Sequence, residues 1–200
     1  MKIFGIGMNY AAHNKELQNS LLNIEDDSAQ RSQPVVFTKA DSALLTDGRP
    51  FFIPSYTNRC EYETELCVRI NHLGRSIPER FAHRYYDEVT VGIDFTARDL
   101  QEKFRKEGLP WDLCKGFDGS AAVGKWMPLK HFGKDIQNLH FHLLQNGKQV
   151  QAGYTADMLF GVNKLVSFIS QYFTLKTGDI IFTGTPAGVG PVNIEAHLEG

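Results

Sequence analysis

Glu61, Glu63 and Glu65 place carboxylates at every second position of one short run. If that run opens a β-strand, the three side chains share a face, with neighbours roughly 7 Å apart along the chain. Two of them can then reach one cation. A site built only from carboxylate oxygens suits a hard ion such as Mg²⁺, Mn²⁺ or Ca²⁺ better than Zn²⁺. The same spacing also describes a solvated strand face, which on spacing alone is the commoner outcome. Leu66, Val68 and Ile70 continue on the other parity and fit both readings. Asp94 closes the apolar run 89–93 and precedes Arg98 and Asp99, which can pair across the turn. A carboxylate there either caps a helix or projects into a site. His13 and Glu16, three apart in a helical pattern, share one helix face. The glutamate can orient the imidazole to take a proton from water; a plain surface pair is the simpler account. His140 and His142 share a strand face but have no third ligand at a suitable spacing, and His72, His83, His131 and His197 read as ordinary surface or loop residues.

The elements that must position these groups are short. Residues 2–7 read as a strand ending in glycines, 11–22 as a helix, 23–33 as a polar loop and 34–39 as a buried strand. Thr64–Ile70 and 88–94 are the next strands, with a short helix over 77–84 between them. Arg98–Glu107 reads as a helix stopped by Gly108 and Pro110. Asn146-Gly147 joins strand 139–145 to a partner beginning at Lys148, the strongest hairpin signal in the chain. Residues 156–173 form the longest helical pattern, and strand 180–183 leads into the glycine-rich run 184–190. Strands outnumber helices and no regular β-α alternation is present. The expected fold is mainly β with a few helices, an α+β domain spanning residues 1–200.

Composition narrows the function classes. Of 200 residues, 42% are hydrophobic and 22% charged, enough for a sizeable core. Basic and acidic residues number 21 and 23, a net charge of -2, so nothing pulls the chain toward nucleic acid or an anionic membrane. Cys60, Cys67 and Cys114 form no CxxC pair, and a reduced, cytoplasmic setting is expected. No signal peptide or membrane span is evident. Gly5-Ile6-Gly7 stands between a strand and a helix, but Tyr10 occupies the third-glycine position of a dinucleotide fingerprint, and no P-loop occurs.

Taken together, these segments resemble the fumarylacetoacetate hydrolase family, in its short acylpyruvase-like branch. The stretches that carry the likeness are Gly7-Met8-Asn9-Tyr10 with His13 and Glu16; Phe37-Thr38-Lys39; Tyr62-Glu63-Thr64-Glu65-Leu66; Asp94 through Gln101; Pro110-Trp111 with Lys115 to Asp118; and Gly178 to Pro186 with Gly188-Val189-Gly190. They follow the family's order over nearly the whole chain. The resemblance implies a mixed β-sandwich roll, usually a homodimer, with a further closing strand beyond Gly200. It implies that Glu63, Glu65 and Asp94 bind Mg²⁺ or Mn²⁺, leaving Glu61 a non-ligand. By the same likeness His13 and Glu16 form a catalytic dyad, Lys115 stands beside the metal, and Arg98, Gln101, Thr185, Gly184 and Lys39 lie near the substrate. Met8 replaces the basic residue common in the family before Asn-Tyr, and Ala40 a proline.

The chemistry that follows is that of a small 2-oxo acid. Its carboxylate and 2-oxo oxygens chelate a hard cation, and cation and lysine stabilise the enolate that develops when a bond at C3 breaks. Hydrolysis between C3 and C4 of an acylpyruvate is the leading expectation. Oxaloacetate decarboxylation or tautomerisation, and isomerisation or decarboxylation of 2-hydroxyhepta-2,4-diene-1,7-dioate, would use the same site. Residues 11–33 are expected to form a helix-plus-loop lid carrying the dyad. The run Gly184-Thr185-Pro186 brings backbone close to a substrate carboxylate. A non-catalytic protein that keeps the metal as a clip is the rival from another class; the presence of His13, Glu16 and Lys115 beside the ligands speaks against it.

Overall fold

The computed structural model describes residues 1–20, 32–46, 48–133 and 135–200. In chain order the strands are β1 (Ile3–Gly7), β2 (Val35–Lys39), β3 (Leu44–Leu45), β4 (Cys60–Tyr62), β5 (Thr64–Ile70), β6 (Tyr86–Asp94), β7 (Thr96–Ala97), β8 (Ala121–Val123), β9 (Met127–Pro128), β10 (His140–Gln145), β11 (Lys148–Tyr154), β12 (Ile180–Phe182), β13 (Gly190–Pro191) and β14 (Leu198–Glu199). The α-helices are α1 (Ala11–Ser20), α2 (Arg98–Glu107), α3 (Asp112–Lys115) and α4 (Val162–Tyr172). One curled sheet runs β2-β1-β12-β5-β6-β8-β3, with β9 on the far end of β6. It is mixed: β1 lies parallel to β12 and β3 to β8, while β5 is antiparallel to both of its neighbours. Two small sheets, β11-β10-β14 and β13-β4-β7, complete the mainly β roll that the sequence leads one to expect.

The central strand is buried on both faces. Leu66, Val68 and Ile70 pack with Phe4, Ile6 and Ile181 beneath α4, which presents Val162, Leu165, Val166 and Ile169 at the spacing of one helix face. Cys67 points the other way, into a cluster with Ile3, Ile180 and Phe182. Each fully buried aliphatic side chain here contributes roughly 1.5–3 kcal/mol.

Several elements differ from the sequence expectation. The long helix of 156–173 is interrupted: a 3-10 turn at Thr155–Asp157 is followed by extended backbone, and α4 begins only at Val162. The cause is distant in sequence. Leu159 N–H donates to the Asn9 carbonyl and Phe160 N–H to Asn9 Oδ1, both at 2.8 Å, so neither is free to start a helix. The Val162 N–H is taken by Gln137 Oε1 at 2.8 Å. The short helix expected over 77–84 is a 3-10 segment, Glu79–Arg84, that begins after Pro78. The strand expected as buried at 34–39 is the sheet's edge; of its residues only Pro34, just before β2, and Lys39 are buried. Within the expected lid, α1 is described as far as Ser20; the remainder of the lid through Arg31 lies outside the described residues.

Asn9 is the staple of this region. Its Nδ2 donates to Thr183 O at 2.7 Å and Phe160 O at 3.0 Å, tying the end of β12 to the segment before α4. Asn9→Ala strands a buried carbonyl and a buried N–H. Urea denaturation should show a loss of about 3 kcal/mol, since each unsatisfied buried group costs on the order of 1–3 kcal/mol. A loss of a few tenths would mean that this joint carries no weight.

Candidate active site and metal centre

Pairing of β5 with β6 sets Thr64 opposite Ile93 and Glu65 opposite Gly92. One step further, Asp94 N–H donates to the Glu63 carbonyl at 2.8 Å. Glu63, Glu65 and Asp94 therefore meet where the two strands end, and one carboxylate oxygen from each lies within 4.8 Å of the others. Their exposures are 5%, 1% and 0%, so the solvated-strand reading does not hold for Glu63 and Glu65. His140 and His142 are exposed and stand apart from this group.

Charges buried this way need partners. Lys115, at the end of α3, donates from Nζ to Glu63 Oε2 at 2.7 Å, Asp94 Oδ2 at 2.9 Å and Thr96 Oγ1 at 2.7 Å. Lys39, at the end of β2, places Nζ 2.6 Å from Asp94 Oδ1 and is held by Ser120 O at 3.1 Å. Arg98, opening α2, donates from Nη2 to Glu63 Oε1 at 2.5 Å, from Nε to Glu61 Oε2 at 2.6 Å, and from Nη1 to Gln101 Oε1. Arg98 thus pairs with glutamates and not across its turn with Asp99, whose carboxylate instead accepts from Thr57 Oγ1 and Asn58 N–H.

The titration behaviour follows from these contacts. Burial works against ionised Glu63, but Lys115 and Arg98 outweigh it and hold the carboxyl well below its usual range. Burial likewise disfavours the Lys115 ammonium, and Asp94 and Glu63 reverse that, raising its pKa. For Lys39 burial wins and the pKa falls. Glu65 is the exception among the carboxylates. Burial, Asp94 and Glu63 all push its pKa well above the usual value. Its one partner is the Gly184 N–H, 2.6 Å from Oε2. Gly184 has φ +103, and a Cβ there would fall 2.6 Å from Asn9 Cβ, so the close approach requires glycine.

A pocket opens over these groups. His13, Glu63, Arg98, Gln101, Arg105, Lys115 and Thr185 form its polar lining, with Ile6, Met8, Phe37 and Trp111 as an apolar wall. Phe37 reaches the wall by crossing Gly5, where any Cβ would collide with its ring at 2.2 Å. His13 Nδ1 lies 3.4 Å from Glu16 Oε2. Glu16 also accepts the Gly188 N–H at 2.9 Å, so the glycine run anchors the dyad. The imidazole contact and then the Gly188 N–H lower the Glu16 pKa against its partial burial.

Thr185 and Gly184 are placed at the site, but their hydrogen-bonding groups are already engaged inside the protein. Thr185 Oγ1 donates to Thr64 O and accepts from Gln151 Nε2, both at 2.9 Å, while Gly184 N–H serves Glu65. Gln151, Ser120 and Thr96 are parts of the site that sequence reasoning missed. Gln151 is 2% exposed, and its Oε1 accepts the Thr64 N–H at 2.8 Å. Its sequence signal was weak: Gln149 stands on the same parity of the same hairpin strand and is exposed.

The donor set fits a hard divalent cation. Three buried carboxylates converge, and one of them, Glu65, forms no ion pair among the described residues. Asp94 Oδ1 also makes no well-directed hydrogen bond despite the nearby Lys39. A divalent ion supplies the missing positive charge with oxygen-only ligation.

Roll, converging carboxylates and buried lysine together define a metal-dependent enzyme class. Residues 2–199 match the family model described as fumarylacetoacetate (FAA) hydrolase C-terminal, and the chain belongs to that family. It is 38% identical over 199 residues to the mouse (Mus musculus) mitochondrial oxaloacetate tautomerase FAHD1, covering 98% of this chain and 86% of that protein. It is 38% identical over 191 residues to the oxaloacetate tautomerase YcgM of Escherichia coli K12, covering 96% of this chain and 83% of the other. Among solved structures it is similar to a fumarylpyruvate hydrolase from Pseudomonas aeruginosa in complex with Mn²⁺ and pyruvate. That match has a TM-score of 0.88 at 32% identity, over 99% of this chain and 83% of the other.

Glu65 generates a pH prediction. Its folded pKa is raised, so the unfolded chain releases this proton at lower pH than the folded one. Its contribution to metal-free stability therefore falls as pH rises from the ordinary carboxylate range to the folded value. A cation at Glu65 must expel the proton. Divalent affinity should rise with pH, with about one proton released per ion below the folded pKa. Calorimetry in two buffers of different ionisation heat measures that number. Glu65→Gln should abolish the release, and a pH-independent affinity in the parent would contradict the assignment.

Proposed function

We propose that this chain is a divalent-cation-dependent enzyme of 2-oxo acids, and that its reaction is proton transfer between C3 and the 2-oxo oxygen of an oxaloacetate-type acid, a keto–enol tautomerisation. The observation that carries this is the buried carboxylate triad with Lys115 bridging two of its members at the floor of a pocket also lined by His13. The likeness to oxaloacetate tautomerases supports the choice of reaction. Glu63, Glu65 and Asp94 would hold Mg²⁺ or Mn²⁺. When bound, the ion supplies Lewis-acid charge for the carboxylate and 2-oxo oxygens of such a substrate.

The protein's own groups supply the rest. Lys115 is the ammonium placed to balance negative charge developing on the 2-oxo oxygen. Arg98 is fixed by Glu61, Glu63 and Gln101, so it offers a preorganised cation at the pocket wall. His13, steadied by Glu16, is the group that takes the C3 proton, and the imidazolium so formed gives a proton back at the 2-oxo oxygen, directly or through water, so that none is gained or lost. Phe37 and Trp111 restrict water over the reacting carbons.

A second reading has its own observation. The His13–Glu16 pair, bonded to Gly188, is also the arrangement that activates a water molecule. With an acylpyruvate in the pocket, that water would attack C4 and the C3–C4 bond would break, as the name of the Pseudomonas aeruginosa hydrolase implies for that protein.

The decisive experiment compares oxaloacetate, acetylpyruvate and fumarylpyruvate in parallel, each with Mg²⁺, with Mn²⁺ and with EDTA. Faster interconversion of enol and keto oxaloacetate, abolished by EDTA, is the expected result. Lys115→Met should lower it by at least about a hundredfold, the size of losing one preorganised charge. His13→Ala should reduce turnover by roughly 10²–10⁴-fold. Faster cleavage of an acylpyruvate than tautomerisation would select the hydrolytic reading. Failure to turn over any of the three acids, despite cation binding, would make the protein a binding module.

A further inference from the structure

Glu61 is the alternating glutamate that the triad leaves out. It sits in β4 between Thr96 of β7 and Pro191 of β13, with a side chain 15% exposed. Its two oxygens face two different arginines. Oε2 accepts from Arg98 Nε at 2.6 Å, and Oε1 lies 3.4 Å from Arg59 Nε. Arg59 in turn reaches Glu102 on α2. The ion pairs join end to end: Glu102, Arg59, Glu61, Arg98, Glu63, Lys115, Asp94, Lys39. Signs alternate at every step. Its outer end is Glu102 with the half-exposed Arg59, 44% of whose side chain is in solvent, and its inner end is Lys39, with none.

We infer that Glu61 is a positioning residue that sets the cation affinity of the triad by occupying Nε of the Arg98 guanidinium, so that Glu63 receives a single N–H, from Nη2, and only part of the arginine's charge. This rests on the reading of Glu63, Glu65 and Asp94 as cation ligands. The physical reason is competition. Arg98 carries one positive charge and divides it between Glu61 and Glu63. With the Glu61 carboxylate bonded to Nε, more of the Glu63 charge is left for a metal ion. If Glu61 loses its charge or its reach, the buried arginine leans on Glu63 alone, in surroundings where charge interactions are poorly screened. Glu63 then becomes a poorer ligand. Arg59 acts with the opposite sign, because it draws Glu61 toward the surface.

Three substitutions test this, read by Mn²⁺ titration calorimetry and by the paramagnetic resonance signal of free Mn²⁺, neither of which needs turnover. Glu61→Gln keeps shape and removes charge. It should weaken Mn²⁺ binding on the order of tenfold, the scale on which partners of metal ligands act. Glu61→Asp keeps the charge but withdraws it from Arg98 by one methylene, and should weaken binding similarly. Arg59→Gln should leave affinity equal to or tighter than the parent. A merely structural role would lower affinity in all three, and its loss would follow the melting temperature of the metal-free proteins. If Glu61→Gln fails to fold, the half-exposed Arg59→Gln still gives the sign, and weaker binding there overturns the inference.

Glu65→Gln serves as the control. If the parent binds Mn²⁺, Glu65→Gln does not, and Glu61→Gln matches the parent, the positioning role is refuted and the triad stands. If Glu61→Gln weakens binding but Glu61→Asp does not, the effect is one of charge at a distance and the positioning role is likewise refuted. If parent and Glu65→Gln behave alike, the triad reading itself fails, and the role of Glu61 falls with it.

Discussion

Three carboxylates within 4.8 Å of one another, all buried, are the constraint on which the rest of this molecule depends. At an effective dielectric of about 20, each pair of like charges at that distance costs roughly 3–4 kcal/mol. No single element can supply the compensation. Lys39 comes from the edge strand β2, and Arg98 and Lys115 from the consecutive helices α2 and α3, far from β2 along the chain. Each must arrive with its charged end within hydrogen-bonding distance of the same small volume. A fold that brings them there is largely determined around that point, because a misplaced element leaves an unpaired buried charge.

The backbone geometry serves the same end. Glu65 is turned inward on a strand whose other parity is entirely core, so it cannot rotate away without exposing Leu66 and Val68. Its remaining oxygen-directed contact comes from Gly184, whose left-handed conformation is fixed by Asn9 pulling on Thr183. Asn9 also dictates where α4 begins. One amide thus joins the helix that covers the core to the loop that holds a ligand carboxylate. Gln151 does the corresponding work on the other side, bridging the Thr64 N–H to Thr185 and Pro186.

Much of this was legible in the sequence, and the legible parts share a property. Strands β1, β2, β5, β6 and β12 of the central sheet and the boundaries of α2 follow from local periodicity and stop signals, which act over a few residues; the two- and three-residue strands β3, β8 and β9 carry no such pattern. The convergence of Glu63 with Glu65 follows from strand parity. Asp94 as their neighbour did not follow from spacing; it came from the family likeness, and physically it depends on the β5–β6 register. The truncated start of α4 was invisible because Asn9, about 150 positions away, takes the N–H groups involved. Gln151, Ser120 and Thr96 were overlooked for a related reason: neutral polar residues have no local signature, and their burial is decided by what packs over them. The burial of the triad itself could not be read, since alternating glutamates describe a wet face equally well until the partners from β2, α2 and α3 are in place.

The hydrogen bonds of Lys115 carry a last consequence. An ammonium has three N–H donors, and here all three are committed, to Glu63, Asp94 and Thr96. Lys115 can meet a substrate oxygen only by giving up one of them. Giving up a carboxylate is costly, because Glu63 would then depend on Arg98 alone, or Asp94 on Lys39 alone, for its compensating charge. A divalent cation on the triad removes that cost. On the function proposed above, the lysine's role as internal counter-ion and its role toward a substrate would be alternatives, and the charge held by the carboxylates would decide between them.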